Sequence, residues 1–412
     1  MANQRCKGAR DFLPEHTERF RHIEDTFQSS CLRWGYQEVK TPTLEYLHLF
    51  TSAGTLTPNM LHKVYSFLDW DGWSGERVVL RPDGTIPIAR LYVENLTRQK
   101  IARLFYVTSV FAFEETGKEN REQWQCGVEL IGDAKPMSDV EIILLAVEIL
   151  HGLGINDVEI QLSHTGMLKA LLRELKLSYD EEARLLTQVL DGNWQALTET
   201  KSANSNANGL LSSLLDLKGK SSSFIENLKA LPHISSDLES ELDNFSEIAS
   251  LLDALDCNYQ INITSTRGFE YYTGLCFQFL AKGNKIGSGG RYNDLIPLIG
   301  NENTPACGFA LYINPLMDLV YPKVGQNMEH RILLKGETTM PDTIKSCFQL
   351  AQSLHKAGYI AELDFNNRQS DWRWVITVQG KPPSFVIFDQ SQKQKRQAYS
   401  IDEVIAMLGG PV

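Results

Sequence analysis

Cysteine is scarce in this chain, and its placement excludes several kinds of site. The 412 residues include seven cysteines, an odd number scattered from Cys6 to Cys347, and no two of them form a CxxC pair. Structural zinc sites and disulfide frameworks both depend on cysteines at short, repeated spacings. The sequence therefore predicts no metal, no disulfide and no cofactor, and it favours a reducing, cytoplasmic compartment.

Long apolar runs and an excess of basic residues are also missing. No run of about 18 apolar residues occurs, so we expect no transmembrane helix and no membrane partner, and the N-terminal MANQRCKGARDF has no apolar segment of the signal-peptide kind. The net charge is −11. Nucleic-acid affinity comes largely from Lys and Arg that neutralise phosphates, so this charge argues against a nucleic-acid partner. The basic stretch KQKRQ at 393–397 leaves RNA contact open, but such a stretch is more typical of a solvated loop.

The pattern of helix and strand signals predicts an α+β protein of two domains. A composition of 42% hydrophobic and 22% charged residues is that of an ordinary globular protein. Residues 1–325 combine β-rich runs with amphipathic helices, which indicates a predominantly antiparallel sheet flanked by helices. A Leu-rich segment at about 166–254 is interpreted as a helical insertion. Residues 328–412 alternate strand, helix and strand, as in a small α/β domain with parallel pairing.

Local signals position several elements of the larger domain. A helix is predicted from Pro14 to Trp34, because proline suits the first turn and apolar residues follow at helical spacing. A second helix is predicted over Thr85–Asn95. The runs RLFYVTSVFAFEE and QWQCGVELIGD, separated by a polar loop, indicate an antiparallel pair. The segment MSDVEIILLAVEILHGLG is predicted to be an amphipathic helix, with Ser138 as its N-cap.

An ordered set of short motifs carries a family resemblance: GARDFLP, TPTLE, RPDGT, QCGVELIGD, RGFEYYTG, GSGGRYNDL and CGFAL. In this order they resemble class II aminoacyl-tRNA synthetases, and among these the histidyl-tRNA synthetases and their regulatory paralogue, the regulatory subunit of ATP phosphoribosyltransferase. The likeness covers roughly residues 7–320. It implies the class II synthetase-like antiparallel sheet, a C-terminal domain resembling a shortened anticodon-binding domain, and a homodimer formed through residues 14–45.

The resemblance also implies a pocket for free L-histidine. The residues at the family's histidine-contacting positions are Asp83, Thr85, Gln125, Glu129, Arg267, Tyr271, Tyr272 and Tyr292. Arginine suits a carboxylate, carboxylates suit an ammonium, and a Glu–Tyr pair suits imidazole nitrogens. Other interpretations stay open: Gln125 and Glu129 share one face of a strand and could be surface residues, the tyrosines could be core residues, and Arg267 could be a turn residue. Asp83 stands where synthetases usually carry Glu.

The motifs that bind ATP depart from the synthetase pattern. The second class motif normally begins F-R-x-E and here reads FAFE at 111–114, and the third normally ends G-x-E-R-L and here reads YINPL at 312–316. Two arginines are therefore missing, and proline offers phosphate neither a charge nor an N–H. One charge pair at about 4 Å contributes roughly 4 kcal/mol at an effective dielectric of 20, so we expect adenylation to be lost. Arg121 does match an arginine that synthetases keep.

A retained amino-acid pocket beside a defective ATP site predicts a sensor. Through the resemblance, the expected function is that of a non-catalytic, allosteric regulatory subunit that senses histidine in the first step of histidine biosynthesis. Its expected partner is the catalytic subunit of ATP phosphoribosyltransferase, with a homodimer inside a hetero-oligomer, and tRNA is not expected. Two alternatives stay open: a divergent histidyl-tRNA synthetase or related histidine-adenylating enzyme, and a stand-alone binding module.

Overall fold

A computed structural model divides the chain into two compact units, Met1–Val320 and Tyr321–Val412. The residues it describes are 5–6, 8–53, 61, 63–69, 75–113, 121–190, 193–199, 218–219, 222–229, 235–263, 271–300, 302–321, 330–364, 372–382 and 384–409. All seven cysteines fall within these ranges and are free thiols. Within the same ranges, no helix has the length and apolar character needed to cross a membrane.

The larger unit is built around one mixed sheet. Its helices are α1 (Pro14–Arg33), α2 (Leu47–Ser52), α3 (Thr85–Asn95), α4 (Pro136–Gly152), α5 (Thr165–Glu174), α6 (Tyr179–Leu190), α7 (Gln195–Glu199), α8 (Ser222–Lys229), α9 (Ser236–Ala254), α10 (Leu295–Gly300) and α11 (Ile313–Met317). Its strands are β1 (Gln37–Glu38), β2 (Leu44–Tyr46), β3 (Ser66–Leu68), β4 (Arg77–Leu80), β5 (Ala102–Phe111), β6 (Glu122–Ile131), β7 (Glu159–His164), β8 (Lys218–Gly219), β9 (Gln260–Asn262), β10 (Leu275–Ala281), β11 (Asn284–Arg291) and β12 (Ala306–Tyr312).

The strand order of the large sheet is β1-β5-β6-β12-β11-β10-β7-β9-β8, and β2, β4 and β3 form a separate small sheet. The central pairings from β5 through β7 are antiparallel. Parallel pairs occur only towards the two edges, at β1–β5 and at β7–β9, among the strands described. The predominantly antiparallel sheet expected from the sequence is therefore confirmed.

The two faces of this sheet belong to different hydrophobic clusters. Val128 and Leu130 of β6 lie in the cluster that packs under α1 and α4. Tyr106 of β5 lies in the cluster around α3. Because side chains alternate along a strand, Glu129 points away from α1 and α4 and towards Tyr106. The sheet thus separates a dry helical core from the face that carries polar groups.

Three local predictions agree with the structure and one does not. The helices at Pro14–Arg33 and Thr85–Asn95 and the antiparallel β5–β6 pair are confirmed. Ser138 as the N-cap of α4 is wrong: the helix begins at Pro136, and Ser138 is buried inside its first turn. Proline is pre-organised for the first helical position, where its missing N–H has no partner to lose, so it sets the start earlier than the serine would.

The smaller unit is an α/β sheet domain. Its helices are α12 (Pro341–Lys356) and α13 (Ile401–Leu408), and its strands are β13 (Arg331–Gly336), β14 (Ile360–Asp364), β15 (Trp374–Val378), β16 (Phe385–Asp389) and β17 (Gln394–Ala398). The order is β14-β13-β15-β16-β17. The predicted parallel pairing is confirmed, because β13 pairs in parallel with both β14 and β15.

The interpretation of residues 393–397 as a solvated loop is wrong. Most of this stretch forms β17, which pairs antiparallel with β16 at the edge of the sheet. Its residues Gln394 to Gln397 are exposed, so it lacks the apolar alternation by which strands are usually found. Charged side chains on an edge strand discourage pairing with another chain.

Candidate functional site

Glu129 is the centre of a buried polar cluster on the α3 side of the large sheet. Its side chain is buried, and its Oε1 accepts a hydrogen bond from the hydroxyl of Tyr106 at 3.3 Å. Its Oε2 accepts one from the hydroxyl of Tyr292. Burial raises the pKa of Glu129 to about 8, against the lowering effect of its hydrogen bonds from Tyr292, Thr85 and Tyr106. At neutral pH the carboxyl group therefore holds a proton.

Two glycines leave the space that this cluster fills. Gly127 lies opposite Tyr106 in the β5–β6 register, and a Cβ at Gly127 would overlap the tyrosine ring. Gly308 lies opposite Glu129 in the β6–β12 register, and a Cβ there would overlap the carboxyl group. Glycine is needed at both positions because a neighbouring side chain lies flat across the strand.

The RPDGT loop brings Asp83 and Thr85 to the same cluster. Asp83 Oδ1 accepts a hydrogen bond from the backbone N–H of Ile86 at 2.9 Å, so its carboxyl group caps the first turn of α3. Burial raises the pKa of Asp83, while backbone hydrogen bonds in the same turn lower it. The negative charge of Asp83 also raises the pKa of Glu129, so the two carboxyl groups face one low-dielectric space.

Three tyrosines form a wall beside the carboxyl groups. The ring centroids of Tyr271 and Tyr272 are 4.5 Å apart, and those of Tyr271 and Tyr292 are 5.9 Å apart. The hydroxyl of Tyr271 donates to that of Tyr272 at 3.4 Å. Burial and the charges of Asp83 and Glu129 raise the pKa of Tyr271 well above its usual value, which places this side chain beside both acids. The wall is therefore neutral, aromatic and able to hydrogen-bond.

The structure brings together six of the eight residues predicted for the pocket: Asp83, Thr85, Glu129, Tyr271, Tyr272 and Tyr292. Gln125 is half-buried on the same face of β6 as Glu129, four residues away, which is roughly 13 Å along a strand. It pairs with Tyr312 of β12 and lies towards the other end of the β6–β12 pair. Arg267 lies outside the described residues.

Sequence reasoning missed an ion pair that anchors this wall. Arg291, the last residue of β11, donates to Asp139 of α4 at 2.7 Å from Nη2 and 3.0 Å from Nε. It also donates to the carbonyl oxygens of Asp133 and Lys135. Both charged side chains are buried. The pair fixes the end of β11 to α4 and so sets the position of Tyr292, the next residue.

Tyr106 was also missed, although its surroundings contain a signal. It lies in a β-rich run that gives no hint of function by itself. Only the register of β5 against β6 places it opposite Gly127, within reach of Glu129. A tyrosine facing a glycine across an antiparallel pair could have indicated a side chain lying over the neighbouring strand.

At the other end of the β6–β12 pair, the residues that replace the ATP motifs bond to the protein itself. The hydroxyls of Tyr312 and Ser288 are 2.6 Å apart. Asn314 Oδ1 accepts a hydrogen bond from the backbone N–H of Trp124 at 3.1 Å. Tyr312 and Asn314 stand where the synthetase pattern has Gly and Glu, and both contribute to internal packing.

Arg121, the arginine that the synthetases keep, is also held by neighbours. Its guanidinium carbon lies 4.6 Å from the centre of the Phe113 ring, and its stem occupies the space beside Gly8. The backbone N–H of Ala112 donates to the carbonyl oxygen of Arg121 at 3.1 Å. Residue 112 offers only a methyl group where the synthetase pattern has arginine.

Within the described residues, no group of three or more His, Cys, Asp or Glu side chains is placed to hold a metal ion. The chemistry of the cluster is hydrogen bonding and charge. Two buried carboxyl groups and a tyrosine wall suit a small ligand that carries a cationic or N–H-bearing ring.

Comparison with known folds defines the class of the larger unit. A model of the histidyl-tRNA synthetase family matches residues 8–316. The chain also superimposes on the crystal structure of an ATP phosphoribosyltransferase regulatory subunit/histidyl-tRNA synthetase from Bacillus halodurans, with a TM-score of 0.79 and 25% identity over 92% of this chain and 99% of that one. The fold is the class II synthetase fold of the histidyl-tRNA synthetase type, with an additional C-terminal sheet domain.

Two curated relatives show to which proteins within this class the chain is similar. The ATP phosphoribosyltransferase regulatory subunit of Dehalococcoides mccartyi is 44% identical over 409 residues, covering 98% of each chain. A histidine–tRNA ligase of Methanocaldococcus jannaschii is 32% identical over 374 residues, covering 89% of this chain and 87% of the relative. The chain therefore belongs to the histidyl-tRNA synthetase family and, within it, to the ATP phosphoribosyltransferase regulatory subunits. The resemblance and the fold class expected from the motifs are confirmed.

Proposed function

We propose that this chain is a non-catalytic regulatory subunit that binds free L-histidine in the Glu129 pocket and passes this signal to a catalytic ATP phosphoribosyltransferase subunit. The 44% identity to the D. mccartyi regulatory subunit supports the partner. The choice of histidine as the ligand rests on the buried Glu129, whose two oxygens accept hydrogen bonds from tyrosine hydroxyls. A fixed, buried carboxyl group is a partner for an imidazole nitrogen, because a ring left unpaired there would lose its hydrogen bonds.

The remaining groups of histidine have partners of matching chemistry. Asp83 supplies a carboxylate for the ammonium group, and Thr85 and the tyrosine hydroxyls supply neutral hydrogen bonds. Arg267 is assigned to the ligand carboxylate from its place in RGFEYYTG. Gln125 lies on the same face of β6, nearer Tyr312 than Glu129. With these assignments, each polar group of histidine has a hydrogen-bonding partner in the protein, as a buried ligand requires.

The same geometry supports the loss of adenylation. Ala112 and Pro315 stand at the two arginine positions of the synthetase motifs, and Tyr312 adds a ring where the pattern has glycine. Asn314 is engaged with the backbone of Trp124. A nucleotide would have to displace these contacts and would find neither arginine for its phosphates.

Regulation follows if histidine binds one state of the complex more tightly than the other, because a ligand shifts an equilibrium only by its differential affinity. The subunit itself is proposed to be a homodimer through residues 14–45. Three large apolar side chains within this segment or next to it are 47–61% exposed: Leu13, Leu32 and Leu44. A dimer interface would cover them.

The decisive experiment combines two assays on the purified chain. Calorimetry should detect histidine binding, while histidine-dependent exchange of labelled pyrophosphate into ATP should stay at background, with a histidyl-tRNA synthetase as the positive control. Exchange at a synthetase-like rate would show that the chain is an adenylating enzyme. Co-purification of a phosphoribosyltransferase separates the regulatory subunit from a stand-alone binding module.

The ligand assignment has its own test in Glu129→Ala. This change should weaken histidine binding by at least ~1 kcal/mol, because a buried ring nitrogen loses its partner. Glu141→Ala is the matched control, since Glu141 also accepts from a buried tyrosine, Tyr36, but lies outside the pocket. An unchanged dissociation constant in the Glu129 variant would remove this residue from the ligand site.

A further inference from the structure

Tyr106 is a buried group to which the family motifs assign no role. Its side chain is 2% exposed, and its ring lies over two backbone positions that have no room for a Cβ, Gly84 and Gly127. Its hydroxyl reaches Glu129 Oε1 at 3.3 Å. A tyrosine that served only as core would not need its hydroxyl aimed at the one buried acid of β6.

Tyr106 and Tyr292 hold the carboxyl group of Glu129 from two sides. Each takes a different oxygen, and the two tyrosines come from different parts of the sheet, β5 and the end of β11. With a tyrosine donor on each oxygen and a further hydrogen bond from Thr85, rotation of the carboxyl group would break a hydrogen bond away from solvent. The carboxyl group therefore presents one fixed edge to the pocket.

The titratable groups that act on Glu129 are Asp83 from the loop before α3, Tyr106 from β5 and Tyr292 after β11. Glu129 in turn raises the pKa of Tyr271, before β10, and that of Cys307 in β12. The negative charge of Asp83 raises the pKa of Glu129, whereas the hydrogen bonds from Tyr106 and Tyr292 lower it by stabilising the carboxylate.

We infer that Tyr106 is a positioning residue that fixes the direction of the Glu129 carboxyl group and sets the upper end of the pH range in which the pocket binds an imidazole ring. The inference rests on the proposed function for the identity of the ligand. Its geometric part, the hydrogen bond from Tyr106 to Glu129, is present without any ligand and does not depend on the ligand's identity.

The number of protons bound by the free partners and by the complex makes this role measurable as a pH dependence of histidine affinity. In the empty pocket Glu129 keeps its proton up to a pH of about 8, whereas a free imidazole ring loses its proton at about 6.5. Between these values the free partners carry one proton in total, and the complex shares that proton between the carboxyl group and a ring nitrogen. Above the range the complex must take up a proton, so affinity falls by up to about tenfold per pH unit. Below the range the free ring is already protonated, and affinity falls as well.

Tyr106→Phe removes the hydroxyl alone and should move this range. The Tyr106 hydrogen bond lowers the pKa of Glu129, so its loss should shift the alkaline limb of the histidine-binding profile to higher pH. At pH 7 we expect an affinity loss of about two- to tenfold from the freed carboxyl group. The amino group of histidine titrates identically with both proteins, so the difference between the two profiles reports Glu129 alone.

Tyr36→Phe is the matched control. Tyr36 is equally buried in the same unit, and its hydroxyl donates to Glu141 at 2.8 Å, outside the pocket. It should change stability without moving the binding profile. A second measurement needs no ligand: NMR titration of the Glu129 carboxyl carbon, assigned by its absence in Glu129→Gln, should show a higher midpoint in Tyr106→Phe than in the unmodified protein.

The outcomes separate this inference from the proposed function. Superimposable profiles and equal NMR midpoints for Tyr106→Phe and the unmodified protein would overturn the role of Tyr106 while leaving histidine binding intact. No histidine binding at any pH would overturn the proposed function, and the NMR midpoints would still decide the hold on Glu129. If Tyr106→Phe does not fold, Tyr292→Phe removes the donor on the other oxygen. An unshifted NMR midpoint of Glu129 in that variant would equally contradict the hold of the tyrosine hydroxyls on the Glu129 carboxyl group.

Discussion

The two ends of the β6–β12 pair put polar side chains to opposite uses. Around Glu129, the hydroxyls of Tyr106 and Tyr292 donate to the acid, and the charge of Asp83 raises its pKa. At the other end, Asn314 bonds to the backbone of Trp124, and Tyr312 pairs with Ser288. One end gathers its polar groups around a buried acid, and at the other end the residues that replace the ATP motifs serve as internal supports.

The two ends also differ in what lies behind them. The Glu129 end is backed by the buried Arg291–Asp139 pair, which has several additional hydrogen bonds. Such pairs hold a geometry because breaking one partner leaves the other charged and buried. The opposite end has neutral supports, the hydrogen bond from Trp124 to Asn314 and that between Tyr312 and Ser288. We therefore expect changes at the first end to be the more damaging.

The largest expected effect is that of Arg291→Leu. It leaves Asp139 buried without its partner and should lower the free energy of unfolding by about 3–5 kcal/mol, with loss of histidine binding as Tyr292 is released. Urea unfolding and calorimetry measure the two effects. Arg173→Leu, which breaks the exposed Arg173–Asp237 pair, should change stability by no more than about 1 kcal/mol. Equal effects of the two variants would contradict the anchoring role.

A pH series on Glu129→Gln should sharpen the contrast. The folded pKa of about 8 lies above the value of about 4.5 for an exposed Glu, so the stability linked to this proton is complete at low pH and is lost as pH rises towards 8. The unmodified protein should lose about 1.4 kcal/mol per pH unit relative to the glutamine variant over this range. Urea unfolding at intervals from pH 5 to 8 measures it, and parallel stability curves would show that Glu129 is ionised throughout.

The smallest expected effect is at the opposite end, with Asn314→Ala. Loss of the acceptor for the Trp124 N–H should lower the free energy of unfolding by about 1 kcal/mol and leave histidine affinity unchanged. Asn314→Asp keeps an acceptor oxygen and should restore part of the stability. Thermal unfolding and calorimetry on the three proteins check both statements. A change in histidine affinity with Asn314→Ala would mean that the two ends are coupled.

Sequence reasoning reached local features directly, among them the helix at Thr85–Asn95 and the β5–β6 pair. The pocket residues lie as far apart as Asp83 and Tyr292 and were predicted only through the family motifs, and the match to the family model confirms that family and its fold class. Contacts between distant residues to which no motif points were missed. Arg291 and Asp139 are 152 positions apart, and no local pattern shows that two charges so separated will meet.

Two smaller errors have physical causes as well. The N-cap of α4 was placed at Ser138 because serine is a good cap, but Pro136 was the stronger signal for a helix start. The polar sequence of β17 predicts a loop. That prediction fails because an edge strand needs no alternating apolar side chains to pair with β16. In both cases context outweighed the preference of a single residue type.

The pairing of β6 with β12 has a consequence for how the pocket is made. Glu129 and its partner Gly308 are 179 positions apart, so a nascent chain carries β6 with one long edge open until β12 leaves the ribosome. Contacts of such separation form slowly, and an exposed strand edge invites pairing with the wrong partner. The cluster around Glu129 is therefore among the last parts of the larger unit to be completed, and chains that stop before residue 306 lack β12.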